Sequence, residues 1–271
     1  MSASSPMNFT YAYYRQMLAA MKANFHCHRL VDAERVLQAP RARPVLFLRH
    51  DIDIDPFRAL PMAELEAAAG IQATYMVMTN TPLYRVDDPS CRAALLTLAA
   101  MGHEIGLHFD FDHEAERHTP PDPATLERRI LAACDQLQQS LGIPIASVSF
   151  HRPIPALLHG PLRLAGKINA YAQELMAWYL SDSGGRWRDG EPLPRLRQPD
   201  RPILQLLVHP IWWGESYRPA AIIIRTVFDT LRRTCAPEHL SAIDAALAVH
   251  LGVPSLLTTP PAGQGTLTSS A

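Results

Sequence analysis

Apolar runs along this chain are short, and several stop abruptly on polar residues. Val45-Leu46-Phe47-Leu48 is followed at once by Arg49-His50-Asp51-Ile52-Asp53-Ile54-Asp55. A β-rich run bounded in this way predicts a buried strand. Ile71–Met78, His103–His108, Ile145–Phe150, Trp178–Leu180 and Ile203–Val208 repeat the pattern. Helical segments fall between them. Residues 8–37 carry Tyr14, Met17, Leu18 and Met21 at helical spacing, which predicts an amino-terminal helix. Asp55-Pro56 opens a helix that should stop at Gly70, with Pro61 expected to kink or split it. Residues 91–101 read as a helix ending at Gly102. Asp122-Pro123 caps another, whose Leu126, Ile130, Cys134, Leu137 and Leu141 share one side as far as Gly142. Further helices are expected near 168–177 and over 217–234 and 238–250. Strands and helices alternating at short intervals predict a parallel sheet with helical crossovers.

Length and composition narrow this picture. A chain of 271 residues is ordinary for one α/β barrel-like domain, and 48% hydrophobic with 19% charged residues allows a sizeable core. A net charge of −1 provides no field for nucleic acid or an anionic membrane, so no nucleic-acid partner is expected. The four cysteines, Cys27, Cys91, Cys134 and Cys235, form no Cys-x-x-Cys pair, which argues against a zinc knuckle or redox dithiol. Met1–Met7 lacks the basic and apolar parts of a signal peptide, and no apolar run reaches membrane-spanning length. The expectation is a cytoplasmic protein with reduced thiols and no transmembrane segment. Residues 1–43 read as an amino-terminal helical extension, 44–253 as one barrel domain, and the Thr/Pro/Gly/Ser-rich 254–271 as a disordered tail.

Chemistry gathers at the strand ends. Asp51/Asp53, His108, His151/Arg152, Asp182 and His209 each follow an expected strand. In a parallel sheet these ends share one rim, where open α/β sheets and barrels place their sites. Asp51 and Asp53 point to one face of an extended segment, about 7 Å apart, and repel each other unless a cation intervenes. Asp55, directly before Pro56, reads instead as a helix cap. His26 and His28 flank Cys27, but on a helix they diverge by about 200°, against a shared ion. Cys134 reads as core, and His50 and His103 as core or supporting residues. Trp212-Trp213, just beyond His209-Pro210, suits either a sugar-stacking face or a plug of the barrel end.

The segments, in this order, resemble the polysaccharide deacetylase family, also called NodB-homology or carbohydrate esterase family four. Leu48-Arg49-His50-Asp51-Ile52-Asp53 is similar to a His-Asp-x-Asp variant of its first motif. Gly70–Val77 is similar to the strand that follows, and Gly102–His108 to the lead into its metal motif. Ser149–Pro153 resembles one groove wall, Asp182–Trp187 the opposite wall, and Leu206–Pro210 the final strand. The resemblance covers about residues 44–213 and implies a single-domain distorted (β/α) barrel. It also implies roles by position. Asp51 is the general base and His209 the general acid, while Arg152 restrains the base. Asp53 and His108 hold a divalent metal, most often zinc in that family. Asp182 and Trp187 line the wall opposite. Independently of the resemblance, His151 and Trp212 are substrate-binding candidates by their place beside these strand ends. The family's second metal-motif His lies four residues after the first, where this chain has Asp112; His113, Asp112 and Asp110 are the candidates for the third ligand, His113 first. A structural role remains the alternative for His209 and for Arg152, with His151 then the functional neighbour.

The resulting expectation is a metal-dependent hydrolase that removes an N-acetyl or related acyl group from an amino sugar or glycan precursor. The alternative is a catalytically inactive sugar-binding or assembly module on the same barrel. Hydrolysis of a small non-sugar amide is a third reading. No feature of the sequence speaks to oligomeric state.

Overall fold

Parallel pairing is organised around the segment that begins at Val45. The computed structural model describes residues 6–258. In chain order its elements are α1 (Tyr11–Asn24), β1 (His26–His28), α2 (Ala33–Gln38), β2 (Val45–Ile52), α3 (Ala59–Ala69) and β3 (Thr74–Val77). Next come α4 (Pro89–Ala100), β4 (Glu104–Phe109), α5 (Pro123–Leu141), β5 (Ser147–Phe150), β6 (Arg163–Leu164) and β7 (Lys167–Asn169). The chain continues through β8 (Tyr179–Ser181), α6 (Pro192–Arg197), β9 (Ile203–Val208), α7 (Ala220–Thr234) and α8 (Leu240–Ala248).

Strand order in the sheet is β6-β7-β5-β4-β3-β2-β9-β8, and every pair except β6–β7 is parallel. From β2 the order runs β3, β4, β5 and β7 one way, and β9 then β8 the other. Apart from β6, the antiparallel partner of β7 at the sheet's edge, chain order is therefore cyclic, and the sheet has a seam between its end strands β6 and β8. This is a distorted (β/α) barrel with surrounding helices, as expected. Side chains span the interior at the seam: Gln205 Nε2 on β9 donates to the carbonyls of Ala170 at 2.8 Å and Leu175 at 3.3 Å.

Register decides what lines the barrel. Arg49 aligns with Thr74 and Glu104, Asp51 with Met76 and Gly106, and His108 with Ser149. Across β9, Phe47 aligns with Gln205 and Arg49 with Leu207. Glu104, near one end of the barrel, accepts hydrogen bonds from Thr74 at 2.7 Å, Ser147 at 2.5 Å and the Val31 backbone at 2.8 Å. Gly106 leaves room there; a Cβ would stand 2.5 Å from Met76 Sδ and 3.1 Å from the Ser147 carbonyl.

Several local expectations need correction. Residues 26–28 are not helical. Phe25 is buried and extended at the end of α1, and β1 pairs with β2 through His26–Val45 and His28–Phe47. The stretch near 168–177 holds β7 and a turn, because the Asn169 side chain accepts the Tyr171 N–H at 3.0 Å. Pro61 does not kink α3. A 3-10 turn over Pro56–Arg58 precedes the helix, and Pro61 then falls in its first turn, where no intrahelical N–H is needed. Asp55 caps that turn by accepting from Phe57 N at 2.9 Å, and α5 buries all five residues of its expected apolar side.

Two compact units divide between Tyr217 and Arg218, inside the stretch 44–253 assigned to the barrel from sequence. All nine strands among the described residues lie in the first. The second holds α7 and α8, with the Arg225 and Arg232 guanidinium groups 5.8 and 5.9 Å from the Phe228 ring. The tail expected from 254 is ordered at its start: Leu256 is buried, and its N–H donates to Asp244 at 2.6 Å. Residues 259–271 lie outside the described residues. No helix among the described residues is long and apolar enough to cross a membrane.

Candidate active site

Asp51 and Asp53 leave β2 toward the barrel interior, while His50 faces the opposite side. That split follows from strand alternation. His50 Nε2 lies 2.7 Å from Glu66 Oε1 of α3, and its ring stacks on Tyr75 with centroids 4.4 Å apart. His103 is also in this buried layer, accepting the Ala73 N–H at 3.1 Å. Both are core residues.

Arg49 shares the parity of Asp51 and grips it. Nε donates to Oδ1 at 2.8 Å and Nη2 to Oδ2 at 2.7 Å, with both side chains buried. Arg49 Nη2 also donates to the Tyr171 hydroxyl at 3.3 Å. Burial works to raise the Asp51 pKa, but Arg49, with His108 and His209, more than offsets it and holds the carboxyl below its ordinary value.

Asp53 faces three imidazoles. His108 Nε2 lies 3.1 Å and His151 Nδ1 3.6 Å from its Oδ1, and His209 Nε2 3.7 Å from its Oδ2. Two groups of potential ligand atoms result, Asp53/His108/His151 and Asp51/Asp53/His209, each within 4.8 Å. Burial favours the neutral Asp53 acid; the charges of His151 and His108 overcome it and hold the carboxyl well below the carboxylate range.

Two observations make the first group suitable for a cation. Asp53 Oδ1 is buried with no well-directed hydrogen bond. His108 Nδ1 is engaged by Ser149 Oγ at 2.7 Å, which fixes the ring with Nε2 facing Asp53. Two imidazole nitrogens and one carboxylate oxygen form a donor set suited to zinc and related divalent ions.

His209 is held from behind by Asp182, which is fully buried. Asp182 Oδ1 lies 2.6 Å from His209 Nδ1, and the same carboxylate accepts the His209 N–H at 2.9 Å and Trp213 Nε1 at 2.9 Å. Burial disfavours the imidazolium, yet Asp182, then Asp53 and Asp51, push His209 up to about 9. Nε2, the nitrogen facing Asp53, is the one left to exchange a proton.

The remaining site residues differ from expectation. His113 is exposed and belongs to neither group, so His151 stands where a third ligand was sought. Asp112 is exposed and lies 3.8 Å from Arg129, and Asp110 pairs with Arg117. Arg152 does not touch Asp51; it is exposed and pairs with Glu114 at 2.9 Å. Asp182 supports His209 rather than forming an open wall. Trp187 is buried against Phe9 and Trp213, with centroids 6.1 and 6.4 Å away, and Trp212 is only 2% exposed, so neither presents an open stacking face. Arg49 is not among the expected site residues, although strand alternation puts it on the face of Asp51: an arginine in an apolar run, two residues before an acid, can be buried only if paired.

No family model and no curated protein matches the chain. Among solved structures it is similar to the peptidoglycan deacetylase PdaC from Bacillus subtilis, at 16% identity and TM-score 0.41, over 79% of this chain and 98% of that one. It is similar to the Streptococcus pyogenes deacetylase PplD at 12% identity and TM-score 0.40, over 74% of this chain and 81% of that one. A Streptococcus mutans CE4 esterase overlaps at 17% identity and TM-score 0.42, over 65% and 78%. Overlaps this distant assign neither activity nor substrate to this chain.

Proposed function

We propose that the protein is a metal-dependent deacylase of the polysaccharide deacetylase type, acting on an N-acylated amino sugar or glycan precursor. The observation that carries the reading is the convergence of Asp51, Asp53, His108, His151 and His209 at one end of the barrel. Asp53, His108 and His151 would hold the cation, with zinc the best match to the donors. Bound there, such a cation supplies an acidified water, with pKa lowered to roughly 7, and polarises an acyl oxygen.

The chain's own residues handle the protons. Asp51, ionised at neutral pH, accepts one proton from the attacking water. Arg49 orients that carboxylate, at some expense to its basicity. His209, protonated at Nε2, donates a proton to the departing nitrogen. Asp182 keeps the imidazolium charged and correctly turned. Water and amide thus become carboxylic acid and amine, with Asp51 left protonated and His209 neutral, and each proton transfer contributes about 10²- to 10⁴-fold in rate.

An altered third-ligand position, Asp112 in place of His, would favour an inactive binding module; against that reading, His151 Nδ1 lies 3.6 Å from Asp53 and offers a third donor. Metal analysis and acetate release test the proposal together. The parent chain should carry about one divalent ion and release acetate from acetylated amino sugars. Asp53→Ala and His108→Ala should lose both. Full metal content in those variants, or no acetate from soluble or polymeric sugars, overturns it.

A further inference from the structure

Of the three candidate ligands only His108 lies on a strand; His151 sits on the turn that follows β5. It is followed by Arg152 at φ +48°, a left-handed conformation costly for a residue with a Cβ. Such strain persists only where surrounding contacts over-determine it. The contacts come largely from one side chain. Arg117, in the loop after β4, donates from Nη1 to the His151 carbonyl at 3.1 Å and to the Arg152 carbonyl at 2.6 Å. Its Nη2 pairs with Asp110, its Nε donates to Glu114 at 3.2 Å, and its guanidinium lies 5.5 Å from the Phe111 ring. The side chain is 8% exposed despite its loop position. On the other side of the same residue, the His151 N–H donates to the Phe109 carbonyl at 2.7 Å. Both peptide groups of His151 are therefore pinned to the β4 strand and loop, which carry His108.

We propose that Arg117 is a positioning residue that holds the strained His151–Arg152 turn so that His151 Nδ1 faces Asp53. The inference rests on the reading of His151 as a metal ligand. A guanidinium suits the task because its planar fork reaches two carbonyls and two carboxylates at once, which a lysine ammonium does not.

The test measures zinc affinity by competition with a chromophoric chelator, and the absorption spectrum of the cobalt(II)-loaded protein. Arg117→Ala should weaken zinc about 10- to 100-fold, the loss typical of an outer support to a ligand, and should alter the cobalt spectrum. Arg117→Lys should fall between Ala and the parent, and serves if Arg117→Ala does not fold. Adding Arg152→Gly to either variant should recover part of the affinity, since glycine adopts the left-handed turn without penalty. Arg129→Ala provides the control: Arg129 pairs with Glu116 in the same loop, 2.7 Å away, without an observed bond to the turn. It should leave affinity unchanged. Parental affinity and spectrum in both Arg117 variants, or an equal loss in Arg129→Ala, overturns the positioning role while the metal reading stands. A folded parent that binds no zinc overturns both.

Discussion

Asp51 and His209 show how single contacts set a residue's charge in an apolar interior. An isolated buried carboxylate neutralises; Asp51 stays ionised because Arg49 is fixed to both its oxygens. His209 stays charged because Asp182 touches its Nδ1 and its backbone N–H. Asp182→Asn should therefore bring the His209 titration down from about 9 toward the ordinary histidine value, followed by imidazole NMR with chelator present. The linkage has a definite sign. A raised histidine pKa stabilises the fold fully below the unfolded value near 6.5. That contribution is lost as pH climbs through about 9. An unmoved titration in Asp182→Asn would show that the carboxylate is not the cause.

At the scale of elements, a second polar cluster fastens helices to the outside of the barrel. Glu66 of α3 accepts from Tyr14 of α1 at 2.5 Å and from Tyr75 of β3 at 2.9 Å, and lies against His50 of β2. Four elements thus meet on one carboxylate. Burial alone would raise the Glu66 pKa, but the charge of His50, with the added hydrogen bonds, holds it below its ordinary value. A depressed acid contributes stability that is present above its unfolded pKa and lost as pH falls through the folded one. Glu66→Leu should lower stability at pH 7 by about 3 kcal/mol, because two hydroxyls and an imidazole are left without their acceptor. Urea unfolding at pH 7 and below pH 4 checks this, and the deficit should shrink in acid. A deficit that stays constant with pH would point to packing alone.

For the whole molecule, the seam between the end strands β6 and β8 is the place where the sheet does not close by pairing. Gln205 bridges it with two hydrogen bonds to the turn after β7. Leucine at this position would leave both carbonyls buried and unpartnered, each costing about 1–3 kcal/mol. Gln205→Leu should therefore melt well below the parent, and should also weaken zinc binding, since β9 carries the approach to His209 and pairs along β2. Differential scanning calorimetry with and without zinc separates the two effects. Melting equal to the parent would show that the seam closes by apolar packing.

Local rules alone determined much of this protein. The apolar run ending at Asp51, the caps at Asp55 and Asp122, the glycine stops at Gly70 and Gly142 and the five-residue buried side of α5 all depend on neighbours within a few positions. Strand parity also placed Asp51 and Asp53 on one face, opposite His50. Tertiary structure decided the partners. Whether Arg49 or Arg152 meets Asp51, whether His113 or His151 meets Asp53, and whether Trp187 and Trp212 face substrate or core depend on which loops the barrel brings together. The reason is physical: periodicity and helix capping act between neighbours along the chain, whereas a buried charge is matched through space, by whichever group closure of the sheet delivers to it.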